Sequence, residues 1–152
     1  MSDAASDGLT FRLPRPTPLL NEMLRQHWRV RRRANARIAG LVRLATQGQR
    51  PAVPFERALV RIERRSLRVP DTDNLWGGVK GLLDCLLPPG DPVRSGGRWV
   101  VLHPSGLSIV RDDTPDCLVL DVVAVQVRRV AEQCTVVRIT PLPVSVPGGQ
   151  LG

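Results

Sequence analysis

Apolar and polar residues alternate from Leu9 to Pro14, with Leu9, Phe11 and Leu13 on one side. A period of two predicts a half-buried strand. Pro14, Pro16 and Pro18 end it, because proline lacks the N–H that a strand ladder uses. From Asn21 the period changes to that of a helix, with an apolar stripe through Trp28, Ala34, Ile38, Leu41 and Ala45. Gly48 and Pro51 close that helix. A second strand is predicted from Arg57 to Leu67, where Leu59, Arg61 and Glu63 alternate with Val60 and Ile62 to give one wetter face. Val69-Pro70 breaks it. A second helix is predicted over Leu82 to Leu87, before Pro88 and Pro89, with an earlier start left open and only the low helix propensity of Gly77-Gly78 weighing against a helix across that point. Leu118 to Arg129 and Thr135 to Ile139 read as two strands. They are expected to form an antiparallel pair joined near Val130 to Gln133.

The resulting order, β-α-β-α-β-β, predicts a single α+β domain built on one mixed sheet. Its expected limits are residues 9–140. Residues 1–8 read as a disordered tail and 141–152 as a flexible one. Residues 88–106, rich in Pro, Gly and Arg, read as a loop insertion with a short strand at Trp99 to Leu102. A chain of 152 residues with 42% hydrophobic content is long enough to bury a core. With two Phe, three Trp and no Tyr, that core must be mainly aliphatic.

Charge narrows the choice of partner. The net charge is +8, which favours a polyanion, nucleic acid first and an acidic membrane surface second. Arg25, Arg29, Arg33 and Arg37 recur every four residues and form one ridge of the first helix. Together with Arg32 they are the expected phosphate contacts, which position DNA without reading sequence. No apolar run approaches a membrane span of about 18 residues, and the N-terminus lacks a signal-peptide pattern, so a cytoplasmic protein is expected. Cys85, Cys117 and Cys134 lie in apolar runs without a C-x-x-C pair, as expected of buried reduced thiols rather than zinc ligands.

The candidate chemistry centres on Lys80, the only lysine beside twenty-one arginines. Lysine supplies a compact ammonium where arginine supplies a planar fork. It follows Asp71 and Asp73, two carboxylates at i, i+2 that an extended stretch would point the same way. Asp112-Asp113 adds another acidic pair at an element boundary. Carboxylates gathered at close range repel one another unless a cation sits between them, and magnesium is suited to one or two carboxylates, waters and a phosphate oxygen.

The string Asp71-x-Asp73-Asn74-Leu75, then Lys80, Asp84 and Asp112-Asp113 before a Val-rich strand, resembles the RusA family of Holliday junction resolvases. Upstream, Leu13-Pro14-Arg15-Pro16, Asn21 and the basic helix over Arg25 to Arg43 agree in element order. The resemblance implies a homodimeric, magnesium-dependent endonuclease, with manganese as a substitute, that cuts four-way DNA junctions symmetrically and needs no small-molecule cofactor. It places metal ligands on Asp71, Asp73 and Asp113, with Asp112 as the alternative and Asp91 as an outside candidate. It places the catalytic lysine on Lys80 and supporting roles on Asn74 and Asp84. Lys80 stands three residues further from Asp73 than in well-known members, and Gly77-Gly78 lie in that extra length. The other reading is a branched-DNA-binding protein that keeps the fold without catalysis.

Overall fold

The computed structural model describes residues 7–101 and 103–144. The expected tails over 1–8 and 141–152 therefore lie largely outside the described residues, as does Leu102. Four strands form one mixed sheet: β1 (Leu9–Leu13), β2 (Ala58–Ser66), β5 (Leu118–Gln126) and β6 (Cys134–Pro141). Their order is β1-β6-β2-β5, with β6 antiparallel to both β1 and β2, and β2 parallel to β5. The chain is thus α+β with a mixed sheet, as the period changes along the sequence predict.

The strand pairing corrects one expectation. β5 and β6 are consecutive but do not pair, because β2 lies between them. A tight hairpin needs a short turn, typically with Gly, Asn or Asp at the tip. The connection here, Val127 to Gln133, has none of these, and it contains a 3-10 turn at Val130–Glu132. It is long enough to step across one strand, roughly 10 Å.

The strand faces follow the sequence alternation. On β2, Ala58, Val60, Ile62, Arg64 and Ser66 are buried, and the residues between them are half-buried. The buried face packs against helices. These are α1 (Leu20–Arg25), α2 (Trp28–Ala45), α3 (Thr72–Gly77) and α4 (Lys80–Leu86). Val42, Ile62, Leu82, Leu86, Val137 and Ile139 are sealed from solvent in one aliphatic core. Burying a side chain of that size contributes about 1.5–3 kcal/mol. The opposite face of β2 is charged, and there Arg61 donates to Asp121 of β5 at 2.7 Å.

Residues 88–106, expected as a loop insertion with a short strand at Trp99 to Leu102, contain that strand as β4 (Arg98–Val101), paired in an exposed hairpin with β3 (Pro92–Ser95). The single long helix expected from Asn21 is two helices. His27 is extended (φ −62°, ψ 146°), and its Nδ1 accepts from Arg29 N at 3.2 Å, capping a fresh helix. Trp28, expected in the buried stripe, is therefore the first residue of α2 and is 54% exposed. Further along α2, Ile38, Leu41 and Ala45 of the stripe are partly buried against the core, while the fully buried residues are Ala39 and Val42, each one position on, so the apolar face is turned by about one residue from the expected stripe.

One buried charge fixes the proline-rich turn. Arg64 lies on the core side of β2, where Nε donates to the Thr17 carbonyl at 2.7 Å and Nη1 to Ser66 Oγ at 2.8 Å. Burial pulls its guanidinium below the usual arginine pKa, and the negative charge of Glu22 offsets part of that. Thr135 Oγ1 adds a bond to the Arg15 carbonyl at 2.8 Å. These bonds hold the β1–α1 turn against the end of β2 from which the acidic string emerges.

Candidate functional site

Asp71 leaves the C-terminal end of β2 and caps α3. Its Oδ1 accepts from Asn74 N at 2.9 Å, and its Oδ2 accepts from Asn74 Nδ2 at 3.1 Å. Asn74 Oδ1 in turn accepts from the backbone N of Asn21 at 3.0 Å. Asn74 therefore ties the acidic string to the head of α1, and both amide atoms of its side chain are used. Asp73 lies inside the first turn of α3 and is exposed. The two carboxylates are thus not consecutive same-side residues of an extended stretch, as their spacing suggested. A cap at Asp71 starts the helix before Asp73, so helical geometry replaces the strand-like alternation. Both lie at the solvent-facing N-terminus of α3.

α3 ends at Gly77, and Lys80 begins α4. Gly77-Gly78 do not loop out. Gly78 is buried, and a Cβ there would collide with the Pro18 carbonyl oxygen. The glycine pair is where the α3–α4 joint presses against the proline-rich turn. Lys80 Nζ donates to Asp84 Oδ1 at 2.9 Å, an i, i+4 pair on one face of α4. The lysine side chain is 62% exposed, so this bridge alone adds little stability.

The remaining acidic pair lies elsewhere. Asp113 N donates to Asp112 Oδ1 at 2.8 Å in the loop before β5. That loop runs beside the start of β2: Phe55 bridges Val110, and Ala58 N donates to the Cys117 carbonyl. Because β2 and β5 are parallel, Asp112 and Asp113 sit at the N-terminal end of this strand pair, while Asp71 and Asp73 sit at its C-terminal end. The eight steps of β2 between them span about 26 Å. Among the described residues, no three His, Cys, Asp or Glu side chains come together as an ion-binding group. Asp91 lies on the exposed approach to β3, away from either pair in sequence.

Along α2, Arg29, Arg32, Arg33 and Arg37 are all exposed, and Arg25 is exposed on α1 across the His27 break. Arg29 also lies over the Trp28 ring, 5.4 Å from its centroid.

Between α2, α4 and the segment 103–106 lies a cleft of about 620 Å³. Trp28, Arg31, Arg32, Lys80, Asp84 and His103 line it. His103 Nδ1 is 3.7 Å from the Asp84 oxygen that Lys80 also contacts. Trp28, Arg31 and His103 are the residues that sequence reasoning missed as site candidates. Trp28 fitted the apolar stripe, Arg31 falls off the four-residue ridge, and a solitary histidine carries no pattern.

Compared with protein families, with curated proteins and with solved structures, the chain has no match.

Proposed function

We propose that the chain is a magnesium-dependent endodeoxyribonuclease that resolves four-way DNA junctions as a homodimer. The observation that carries this reading is the head of α3. Asp71 and Asp73 face solvent there, Asn74 holds Asp71, and Lys80 opens the next helix beside the arginine-rich α2. The donor set suits magnesium, a hard cation served by one or two carboxylates and several waters. When bound, the ion supplies an activated water and charge neutralisation at the cleaved phosphate.

The chain's own residues do the rest. Asn74 fixes the orientation of Asp71. The arginines of α2 hold the DNA backbone, each neutralised phosphate steepening the salt dependence of binding. Lys80, drawn from Asp84 towards the phosphate, stabilises the charge that develops on its oxygens. A third carboxylate requires a second copy, because Asp113 lies at the far end of the sheet in its own chain. A twofold axis across the strands would set the Asp113 end of one copy beside the Asp71 end of the other. The same axis supplies the two sites that symmetric cutting needs.

The test is cleavage of a synthetic four-way junction, a flap and a plain duplex, with and without magnesium. The expected outcome is paired nicks in the junction that depend on magnesium, and Asp73→Asn that binds the junction but does not cut it. Normal cleavage by Asp73→Asn overturns the site. A second reading starts from the separation of Asp113 from Asp71 along the parallel β2–β5 pair. It is a branched-DNA-binding protein without catalysis, and it predicts salt-sensitive junction binding with no nicking of any branched substrate.

A further inference from the structure

We propose that the cleft between α2 and α4 is a pocket for one unpaired nucleotide, with the base on Trp28 and its phosphate between Arg31 and Arg32. The inference rests on the reading of a nucleic-acid partner and adds a recognition element to it. The first observation is the position of tryptophan in this chain. The core is aliphatic, and Trp28, Trp76 and Trp99 are 54%, 40% and 67% exposed, so none of the three is retained to fill it. Trp28 lines the cleft, with the His27 ring 5.7 Å away between centroids and the Arg29 guanidinium over its ring at 5.4 Å. Arg29 is an exposed side chain that can swing aside, and a flat ligand would stack in its place. Every base has a flat face, which makes stacking tolerant of sequence.

The second observation is charge. Arg31, Arg32 and Lys80 against Asp84 leave the lining positive, so an anion is favoured. Arg31 is half-buried, unlike the exposed arginines of the ridge, and it lines the cleft. The third observation is size. A volume of about 620 Å³ is that of a small-ligand pocket and suits a single nucleotide. A base enters such a cleft only when it has left its stack. Branch points supply unpaired bases at low cost. Lys80 lines this cleft and also belongs to the proposed catalytic group, so one side chain connects the two.

The test uses three DNA duplexes of one sequence: one with a single-base bulge, one with an abasic bulge at the same place and one fully paired. Binding is read by fluorescence anisotropy at fixed salt without magnesium. The wild-type protein is expected to bind the base bulge about tenfold or more tightly than either of the others. Trp28→Ala is expected to lose that preference while keeping its affinity for the paired duplex, and Trp28→Phe to keep most of it. Arg31→Ala is expected to weaken binding of the base bulge more than binding of the paired duplex. Equal binding of base and abasic bulges by the wild type overturns the pocket, and so does an unchanged preference in Trp28→Ala. A preference for the bulge in a protein that cuts no junction sinks the nuclease reading and leaves the pocket standing. Cutting without any such preference does the reverse.

Discussion

Lys80 and Asp84 form an ion pair that two quite different histories would produce. A surface pair at 2.9 Å on one helix face costs nothing to keep and contributes little. A catalytic ammonium parked on a carboxylate until DNA arrives has the same geometry. Lys80→Arg separates them, because it preserves charge and the helix while replacing a point donor with a planar fork. Under the proposed function this variant loses about a hundredfold or more in junction cleavage with unchanged junction binding. Equal cleavage reduces Lys80 to a surface pair. A second residue, Cys85, lies one position on and behaves in the opposite manner. It is buried, its Sγ meets the Gly81 carbonyl at 3.1 Å, and burial together with the neighbouring Asp84 charge pushes its thiol up to about 11. A thiol that ionises near 9 when unfolded and near 11 when folded favours the folded state fully below pH 9. That contribution is lost as pH rises through the interval, since only the unfolded chain then releases the proton. Urea titrations at pH 8 and near pH 10.5 are expected to show the wild type losing about 2 kcal/mol more than Cys85→Ala between the two conditions. An equal loss in both proteins would show that Cys85 is not buried in this way.

At the level of elements, the strands were legible because alternation is a local property that burial on one face enforces. Leu9, Phe11 and Leu13 are all buried, as are Val60 and Ile62. What alternation does not encode is which strand lies beside which, so the parallel match of β2 with β5 was not readable from the Val-rich run. The helix boundaries were hidden for a different reason: His27 and Asp71 start helices by capping, a matter of a few hydrogen bonds rather than of periodicity. Asp71, Asn74 and Lys80 could be picked out individually, but the distance from them to Asp113 is a consequence of topology. The joint between α3 and α4 makes the same point. Gly77-Gly78 look like a flexible insertion in sequence, yet Gly78 is buried against the Pro18 carbonyl. Gly78→Ala puts a methyl group into backbone, which cannot swing aside as a side chain can. It is expected to destabilise the fold by about 1–3 kcal/mol in thermal or urea unfolding, with Gly40→Ala, where nothing lies within 4 Å, as the control. Matching stability of Gly78→Ala and the control would mean that the joint is loose and that Lys80 is not held in register with Asp71.

For the whole molecule the decisive feature is that β2 and β5 run in the same direction. A strand that leads into Asp71 and a strand that Asp113 leads into can be neighbours only with those residues at opposite ends. If both carboxylates serve one ion, they come from two chains, and this has a consequence that no single-chain site shares. In a mixture of Asp73→Asn and Asp113→Asn proteins, a mixed dimer carries one site with both defects and one site with none. Each variant alone is expected to be inactive. The mixture is expected to recover nicking of one strand, at roughly a quarter of the wild-type level for random pairing, without recovering paired cuts. Denaturing gels that resolve each junction strand measure this directly. Sedimentation velocity on the same samples establishes whether the dimer is present. An inactive mixture of demonstrably mixed dimers overturns the shared site, and full activity of Asp113→Asn by itself removes Asp113 from the site altogether. The remaining carboxylates at the head of α3 would then have to hold the ion by themselves, with waters and phosphate completing its shell.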